Sequence, residues 1–378
     1  MLSPFWTIGG DFMRPKEEQT DSAGDTSRTP LEDAMRRLTA SADEHLIQQQ
    51  PDGGIRCLAC GHRCLVRPGK AGVCKVRFNQ DGVLRVPFGY VNGVACDPIE
   101  KKPFFHMLPG CDIVTFGMLG CDLHCSYCQN WTSSQVLRDS ESDSQIQHIQ
   151  AEDIVRMAVD HASPAIASSY NEPLITSEWA VAIFRIAKQR GLRCAYVSNG
   201  NATPEVLDFL RPWVDAYKID LKSFDDRHYR ELGTVLDNIT RGIRMAKERG
   251  FWVEIVTLLV PGFNDSPEEL RRMADFLASV DPLMPWHITA FHPDYKMATA
   301  RATRTNDLLA AADIGVKAGV KYIYLGNLAG RLEGWENTRC HQCASTLIRR
   351  HGFHVDAMRI TSQGTCPDCG TAIPGIWH

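Results

Sequence analysis

Between residues 112 and about 330 the chain alternates short apolar, β-branched runs with longer stretches whose apolar positions recur every three or four residues. The short runs predict strands at 113–118, 165–169, 193–198, 216–221, 252–260, 286–291 and 322–325. Helical spacing predicts helices at 151–161, 175–190, 204–210, 239–249, 267–277 and 307–318. Strand–helix alternation implies parallel strands with right-handed crossovers, and six or seven such units suit a barrel better than a hairpin-built sheet. The expected class is therefore α/β, a partial or near-complete (β/α) barrel with small Cys-rich appendages at both ends. Ahead of the barrel, residues 1 to about 30 are polar and predict disorder. Leu31, Ala34, Met35 and Leu38 predict one amphipathic helix from Pro30 to about Gln49, ended by Pro51-Asp52-Gly53-Gly54. A hairpin is expected around Asn79-Gln80-Asp81-Gly82 and on through Val91. The division that follows is an N-terminal extension (1–50), a Cys-rich module (51–110), the barrel (111–335) and a C-terminal module (336–378).

Charge and composition narrow the function. A formal net charge of −4 gives no global basic field, so no nucleic-acid partner is expected, although Arg339, Arg349 and Arg350 form a local basic group. No apolar run reaches the eighteen or so residues of a membrane span, and no secretory signal is evident, which places the expectation in the cytoplasm. Fourteen cysteines in a reducing compartment point to metal ligands or catalytic thiols rather than disulfides. Eleven fall into three groups: Cys57, Cys60, Cys64 and Cys74; Cys121, Cys125 and Cys128; Cys340, Cys343, Cys366 and Cys369. Cys96, Cys111 and Cys194 stand apart and are expected to pack as small apolar residues.

The central group carries the most chemistry. Its spacing is C-x3-C-x2-C, directly after the first predicted strand of the barrel. Three thiolates from one loop can hold three irons of a four-iron cubane and leave the fourth open. A structural zinc is the competing reading, with His124 as a fourth ligand. Polar clusters follow the next strands at their C-terminal ends, where barrels keep their catalytic residues. They are Ser168-Ser169-Tyr170-Asn171-Glu172-Pro173, Val197-Ser198-Asn199-Gly200-Asn201, Lys218-Ile219-Asp220-Leu221-Lys222, Val260-Pro261-Gly262-Phe263-Asn264-Asp265 and Thr289-Ala290-Phe291-His292-Pro293-Asp294-Tyr295. The Glu-Pro turn can present carbonyls and a carboxylate to an ammonium group, or merely start a helix at Pro173. His292, Asp294 and Tyr295 are candidate proton donors, substrate ligands or radical relays, and no catalytic residue beyond these candidates is assigned.

Taken in order, these motifs resemble the radical S-adenosylmethionine (SAM) enzymes of the AmmeMemoRadiSam system, close to the pyruvate formate-lyase activating enzymes. The residues that carry the resemblance are Cys57-Leu58-Ala59-Cys60-Gly61-His62-Arg63-Cys64, Pro68-Gly69-Lys70-Ala71-Gly72-Val73-Cys74, the stretch 121–131, Tyr170-Asn171-Glu172-Pro173, Phe291-His292-Pro293-Asp294-Tyr295, Tyr324-Leu325-Gly326-Asn327 and the paired C-terminal cysteines. It covers about residues 55 to 378. The resemblance implies a radical SAM-type barrel, a [4Fe-4S] cluster on Cys121, Cys125 and Cys128, and SAM contacts from Asn171 and Glu172. The latter two stand where many such enzymes have Gly-Gly-Glu-Pro. It further implies, by position, that Ser198, Asn199 and Asp220 meet the ribose or methionyl part of SAM, and that Tyr127 packs against adenine. The activity implied is reductive cleavage of SAM to a 5′-deoxyadenosyl radical that abstracts hydrogen from a protein or small-molecule substrate. Activation of a glycyl radical enzyme is the alternative. A one-electron reductant such as flavodoxin or ferredoxin is the implied partner.

The outer groups read separately. Cys340-x2-Cys343 and Cys366-x2-Cys369 have the spacing of a zinc ribbon. Cys57, Cys60, Cys64 and Cys74 suit either a second zinc or an auxiliary iron–sulfur cluster, with His62 an alternative ligand. A function of another class, a non-catalytic zinc-stapled binding protein, would leave the polar strand ends without a purpose.

Overall fold

Eight strands hydrogen-bond into one sheet whose order follows the chain from edge to edge. They are β1 (Gly93–Pro98), β2 (Asp112–Gly117), β3 (Ala165–Ser168), β4 (Arg193–Ser198), β5 (Ala216–Asp220), β6 (Trp252–Leu259), β7 (Trp286–Ala290) and β8 (Ile323–Gly326). This computed structural model describes residues 30–378 except Ser140, Asp143, Ala329 and Glu333; the expected N-terminal disorder falls on 1–29, outside the described residues. β1 runs antiparallel to β2, and every pairing from β2 to β8 is parallel. Among the described residues β1 and β8 do not pair, so the barrel is open along one side. Helices α1 (Ala151–Asp160), α2 (Ser177–Gln189), α3 (Pro204–Leu210), α4 (Asp226–Leu232), α5 (Leu236–Glu248), α6 (Pro267–Val280) and α7 (Thr305–Lys317) lie in the crossovers.

Alternation along the strands sorts the two faces. Val114, Phe116, Ile166, Tyr196, Tyr217, Ile219, Val253, Ile255 and Ile288 join one core with the apolar faces of the helices. On the opposite face the small residues Ala165, Ala167, Ala195 and Ala216 leave room for Ile99, Phe104, Met107 and Leu108, which plug the lower end of the barrel. Two and four positions beyond Ala216, on that same face, stand Lys218 and Asp220. The interior is thus apolar below and charged at the mouth.

The expected helix from Pro30 to Gln49 is corrected: it stops at Arg37. Thr39–Ser41 instead pairs with Val83–Pro87, and Ile47–Gln49 with Ile55–Cys57. Between them Asp43 caps a short turn by accepting from the His45 amide at 3.0 Å. The apolar spacing ends at Leu38, and an open partner edge decides the rest. Helix α4 was not foreseen, because a seven-residue helix that buries only Tyr229 and Leu232 shows no period. Its ends were written in the sequence nonetheless, as the Asp225 cap and Gly233 at φ 101°. The hairpin at Asp81-Gly82 forms as expected, with φ 53° and 83°, a type I′ pair.

At the C-terminus β9 (Thr338–Arg339), β10 (Thr346–His351) and β11 (His354–Met358) form a small antiparallel sheet. It is tied beneath the barrel. Buried Arg350 reaches Glu100 at 3.2 Å and the Phe105 carbonyl at 2.8 Å, and Ile376 donates its amide to the His106 carbonyl.

Candidate active site at the barrel mouth

The loop after β2 carries Cys121, Cys125 and Cys128, and its path is fixed from three sides. Gly120, at φ 91°, donates its amide to the Ser133 carbonyl at 3.0 Å; a Cβ here would lie 2.8 Å from Val76 Cγ1. Gln135 Nε2 and Arg138 Nη1 both donate to the Leu123 carbonyl. The Leu123 amide points at Cys121 Sγ, 3.4 Å away. Burial raises all three thiols, Cys125 to about 12, and the Lys222 ammonium opposes it at Cys125 and Cys128. Buried thiols of this kind ionise when a metal supplies the positive charge. They do not close to the spacing of a one-ion site. Among the described residues, the group whose ligand atoms lie within 4.8 Å of one another is the C-terminal four. A donor set of three wide-set, amide-supported thiols fits a polynuclear iron–sulfur cluster with one iron left open. His124, the zinc reading's fourth ligand, packs its ring on Gly233.

Beside this loop lies a web of buried carboxylates and amides. Glu172 accepts from Ser198 Oγ at 2.7 Å and the Leu174 amide at 3.1 Å through one oxygen, and from the Asn199 amide at 2.7 Å through the other. Burial, then the neighbouring Asp122, raises its carboxyl to about 8. Asn171 spends its carbonyl on the Met118 amide at 2.9 Å, joining the turn after β3 to the end of β2. Asn199 donates to Asp122 at 2.7 Å, and Ser198 also receives the Tyr217 hydroxyl at 3.1 Å. The expected SAM contacts Asn171, Glu172, Ser198 and Asn199 are therefore together in space, but their side chains are already engaged: Glu172 with Ser198, Asn199 with Asp122 of the cysteine loop, and Asn171 with the Met118 amide.

Sequence reasoning passed over Asp122, the hub of this web, and named Asn201 only as part of its polar cluster. Asp122 takes Asn199 and Asn201 on its two oxygens, at 2.7 and 2.8 Å. The available signal was Asn-x-Asn after β4 and a carboxylate adjoining a metal-type cysteine.

At the end of β5, Asp220 is held between Lys218 and Lys222, the latter at 3.1 Å. Burial alone would raise this carboxyl; the two ammonium groups outweigh it and hold it down at about 2. Lys222 thus links Asp220 to the cysteine loop. Tyr127 is buried, edge-on to Phe263 at 5.4 Å between ring centres. The loop after β7 folds over the cysteines: the Lys296 amide donates to the Ser126 carbonyl, and His292 Nδ1 lies 3.0 Å from Gln129 Nε2. Asp294 accepts from the Tyr295 amide as a cap. Tyr295 gives its hydroxyl to Asp139 at 2.5 Å and stacks on Trp131.

At the far end of the molecule, Cys340 and Cys369 lie 3.6 Å apart and Cys343 and Cys366 3.7 Å apart. Zinc–sulfur bonds of about 2.3 Å give a tetrahedral edge of about 3.8 Å, so these four have the spacing of a site for a single metal ion.

Residues 116–277 match the Radical SAM superfamily. A Methanocaldococcus jannaschii protein known only as uncharacterized protein MJ0808 is 34% identical over 325 residues, 85% of this chain and 96% of its own length. The pyruvate formate-lyase-activating enzyme of Staphylococcus aureus is 25% identical over 237 residues, 59% of this chain and 92% of that enzyme. Among solved structures, a radical SAM methyltransferase from Sphaerobacter thermophilus aligns over 76% of each chain, with 15% identity and a TM-score of 0.47. No helix among the described residues is long and apolar enough to cross a membrane. With three cysteines of cluster type at the mouth of a partial parallel barrel, the superfamily match over residues 116–277 and an activating enzyme as a relative, the chain belongs to the radical SAM superfamily and is an enzyme of that class, whose family cofactors are a [4Fe-4S] cluster and SAM.

Proposed function

We propose that the chain is a radical SAM enzyme of the AmmeMemoRadiSam type that abstracts hydrogen from a substrate entering the barrel mouth. The observation that carries this reading is the convergence of Cys121, Cys125 and Cys128 on one wide-set loop beside the charged interior of β5. Bound there, the cluster and SAM supply the electron transfer that cleaves SAM to methionine and a 5′-deoxyadenosyl radical. Cys121, Cys125 and Cys128 would hold the cluster. Asn171 and Glu172 would act by positioning: their side chains lock the turn after β3, whose carbonyls would accept from the SAM ammonium group. Ser198 and Asn199 lock the neighbouring turn. Asp220 stays ionised at neutral pH, as a ribose-hydroxyl or ammonium acceptor must, and Lys222 sets a cation beside the anionic cluster. Tyr127 and Phe263 form the apolar wall against which adenine would lie. The C-terminal four thiols would hold structural zinc. The electron would come from a protein of flavodoxin or ferredoxin type.

A second reading, glycyl radical enzyme activation, is favoured by the unpaired edges of β1 and β8: an open side admits a polypeptide segment. Likeness to an activating enzyme supports it.

Anaerobically reconstituted, reduced protein given SAM should form 5′-deoxyadenosine, measured by chromatography. Absence of product together with an electron paramagnetic resonance (EPR) spectrum indifferent to SAM would sink the proposal. For activation, a glycyl radical doublet should appear in pyruvate formate-lyase incubated with the reduced protein and SAM; its absence would remove that reading.

A further inference from the structure

The N-terminal cysteines are not an independent appendage. Their loops pack directly against the back of the central cysteine loop. Val76 Cγ1 and the Cys74 carbonyl bear on Gly120, 2.8 and 3.3 Å from where a Cβ would stand. Arg138 donates to the Val73 carbonyl at 2.5 Å and to the Leu123 carbonyl at 2.9 Å, one guanidinium joining the two loops. His62 Nε2 lies 3.1 Å from the Asp122 carbonyl. The Gly61 amide donates to the Asn201 carbonyl at 2.7 Å, and a Cβ on Gly61 would come within 2.2 Å of Asn201 Oδ1. The single carboxylate of Asp122 bears on both Cys60 and Cys121.

Within the group, Cys57, Cys60 and Cys74 are each 6% exposed. Cys60, Cys64 and Cys74 each lie near enough to Cys57 to feel its charge. Amides of His62, Val73, Val76 and Arg77 point at their sulfurs. Ile55, Ala59, Val66, Leu84 and Val86 wall the Cys57 and Cys64 side with apolar atoms. Buried Arg77 is bound through both terminal nitrogens to Glu178, at 2.7 and 2.8 Å, and sits beside Cys57 and Cys74. Its Nε has no partner among the described residues. A cation with a spare donor suits an anionic metal–thiolate group.

The choice of metal follows from spacing. The C-terminal four have closed to the edges of a zinc tetrahedron; the N-terminal four have not, and in this they match the central three. Zinc knuckles also tolerate the surface, as exposed Cys343 and Cys369 do, whereas three of these four thiols are buried and Cys64 is half-buried. We infer that Cys57, Cys60, Cys64 and Cys74 hold a second iron–sulfur cluster of four-iron type, placed one side chain behind the SAM-binding cluster. With four thiolates it has no open iron, and therefore no site for SAM.

The test is metal content and EPR on protein reconstituted anaerobically with iron and sulfide. Wild type should carry roughly eight irons per chain, and the Cys121→Ala/Cys125→Ala/Cys128→Ala variant roughly four, with equal sulfide and an EPR signal indifferent to SAM. Adding Cys60→Ser and Cys74→Ser should remove the remaining iron. Four irons in both wild type and the triple variant would support this site while removing the central one, so the two readings fail separately. Four irons in wild type and none in the triple variant, a second zinc per chain, or iron that survives Cys60→Ser and Cys74→Ser would each overturn the inference. A wild-type count near eight carries the inference even if a variant does not fold, and a count of four is assigned by the triple variant, or by whether the EPR signal of the wild type responds to SAM.

Discussion

The central and C-terminal cysteine groups use the same ligand atom for opposite ends. At the C-terminus four thiols close a tetrahedron at the surface. Ser345 and Thr371 place hydroxyls and amides on Cys343 and Cys369 and lower both, Cys343 to about 6. That set is ready to take a cation and offers it no vacant position. The central three are buried and raised, they stand wider apart, and their neighbours are Lys222, Asp122 and the Glu172 turn. Ligand number and spacing separate a staple from a reactive centre; cysteine content alone does not.

The sharpest way to break this comparison is Cys125→Ala. It should take 5′-deoxyadenosine formation below detection and reduce iron, while zinc per chain stays unchanged. Retained cleavage would mean that the central set is not the reactive one. The converse is Cys366→Ala, which opens one of the two buried corners of the C-terminal set. It should lose the zinc and several kcal/mol of stability in that module, on the order of what structural zinc contributes, while the reduced cluster's SAM-induced EPR change remains. Loss of that change with the zinc would show that the two sites are not separate.

What the sequence revealed of these sites follows from how local each signal was. C-x2-C pairs and the C-x3-C-x2-C loop are contiguous, and strand–helix alternation is periodic, so both were legible. Asp122 was not, because its meaning comes from Asn199 and Asn201 on another turn. Glu172 stood out in the sequence as a candidate, but nothing in Glu-Pro tells that three donors already occupy its oxygens. The stretch after Leu38 misled in part for the same reason: Thr39–Ser41 takes its conformation from a strand over forty residues away, while Ile47–Gln49 pairs with nearby Ile55–Cys57.

A smaller effect tests how the C-terminal module is held. His106 sits beneath the barrel with Nδ1 2.7 Å from the Pro374 carbonyl and Nε2 2.6 Å from the Tyr324 hydroxyl. Burial lowers it to about 4; Glu254 and the Pro374 carbonyl pull the other way, and Arg350 and His287 add to the lowering. A base lowered on folding favours the neutral folded state, so this contribution is full above the ordinary value of 6.5 and is lost as pH falls toward 4. The loss should approach about 3 kcal/mol at the acid end of that window. Denaturant melts at pH 7 and pH 4.5 check it. The drop should shrink in His106→Gln, which cannot take up the proton; an equal drop in that variant would assign the acid sensitivity elsewhere.

The smallest effect is expected at Tyr295, the residue whose chemistry invites the largest claim. Its place beside the cysteine loop suggests a radical relay or proton donor, but its hydroxyl is already given to Asp139 and its ring lies flat on Trp131, 5.1 Å between centres. Burial, then the hydrogen bond to Asp139, raises the phenol above its ordinary range, which opposes loss of its proton. Tyr295→Phe keeps the stack and removes one half-exposed hydrogen bond, about 1 kcal/mol of local order. 5′-Deoxyadenosine formation should therefore fall by less than about tenfold. A fall of a thousandfold with unchanged iron and an unchanged SAM-induced EPR shift would place the phenol in the chemistry, and the loop after β7 would then belong with the reactive centre rather than its cover.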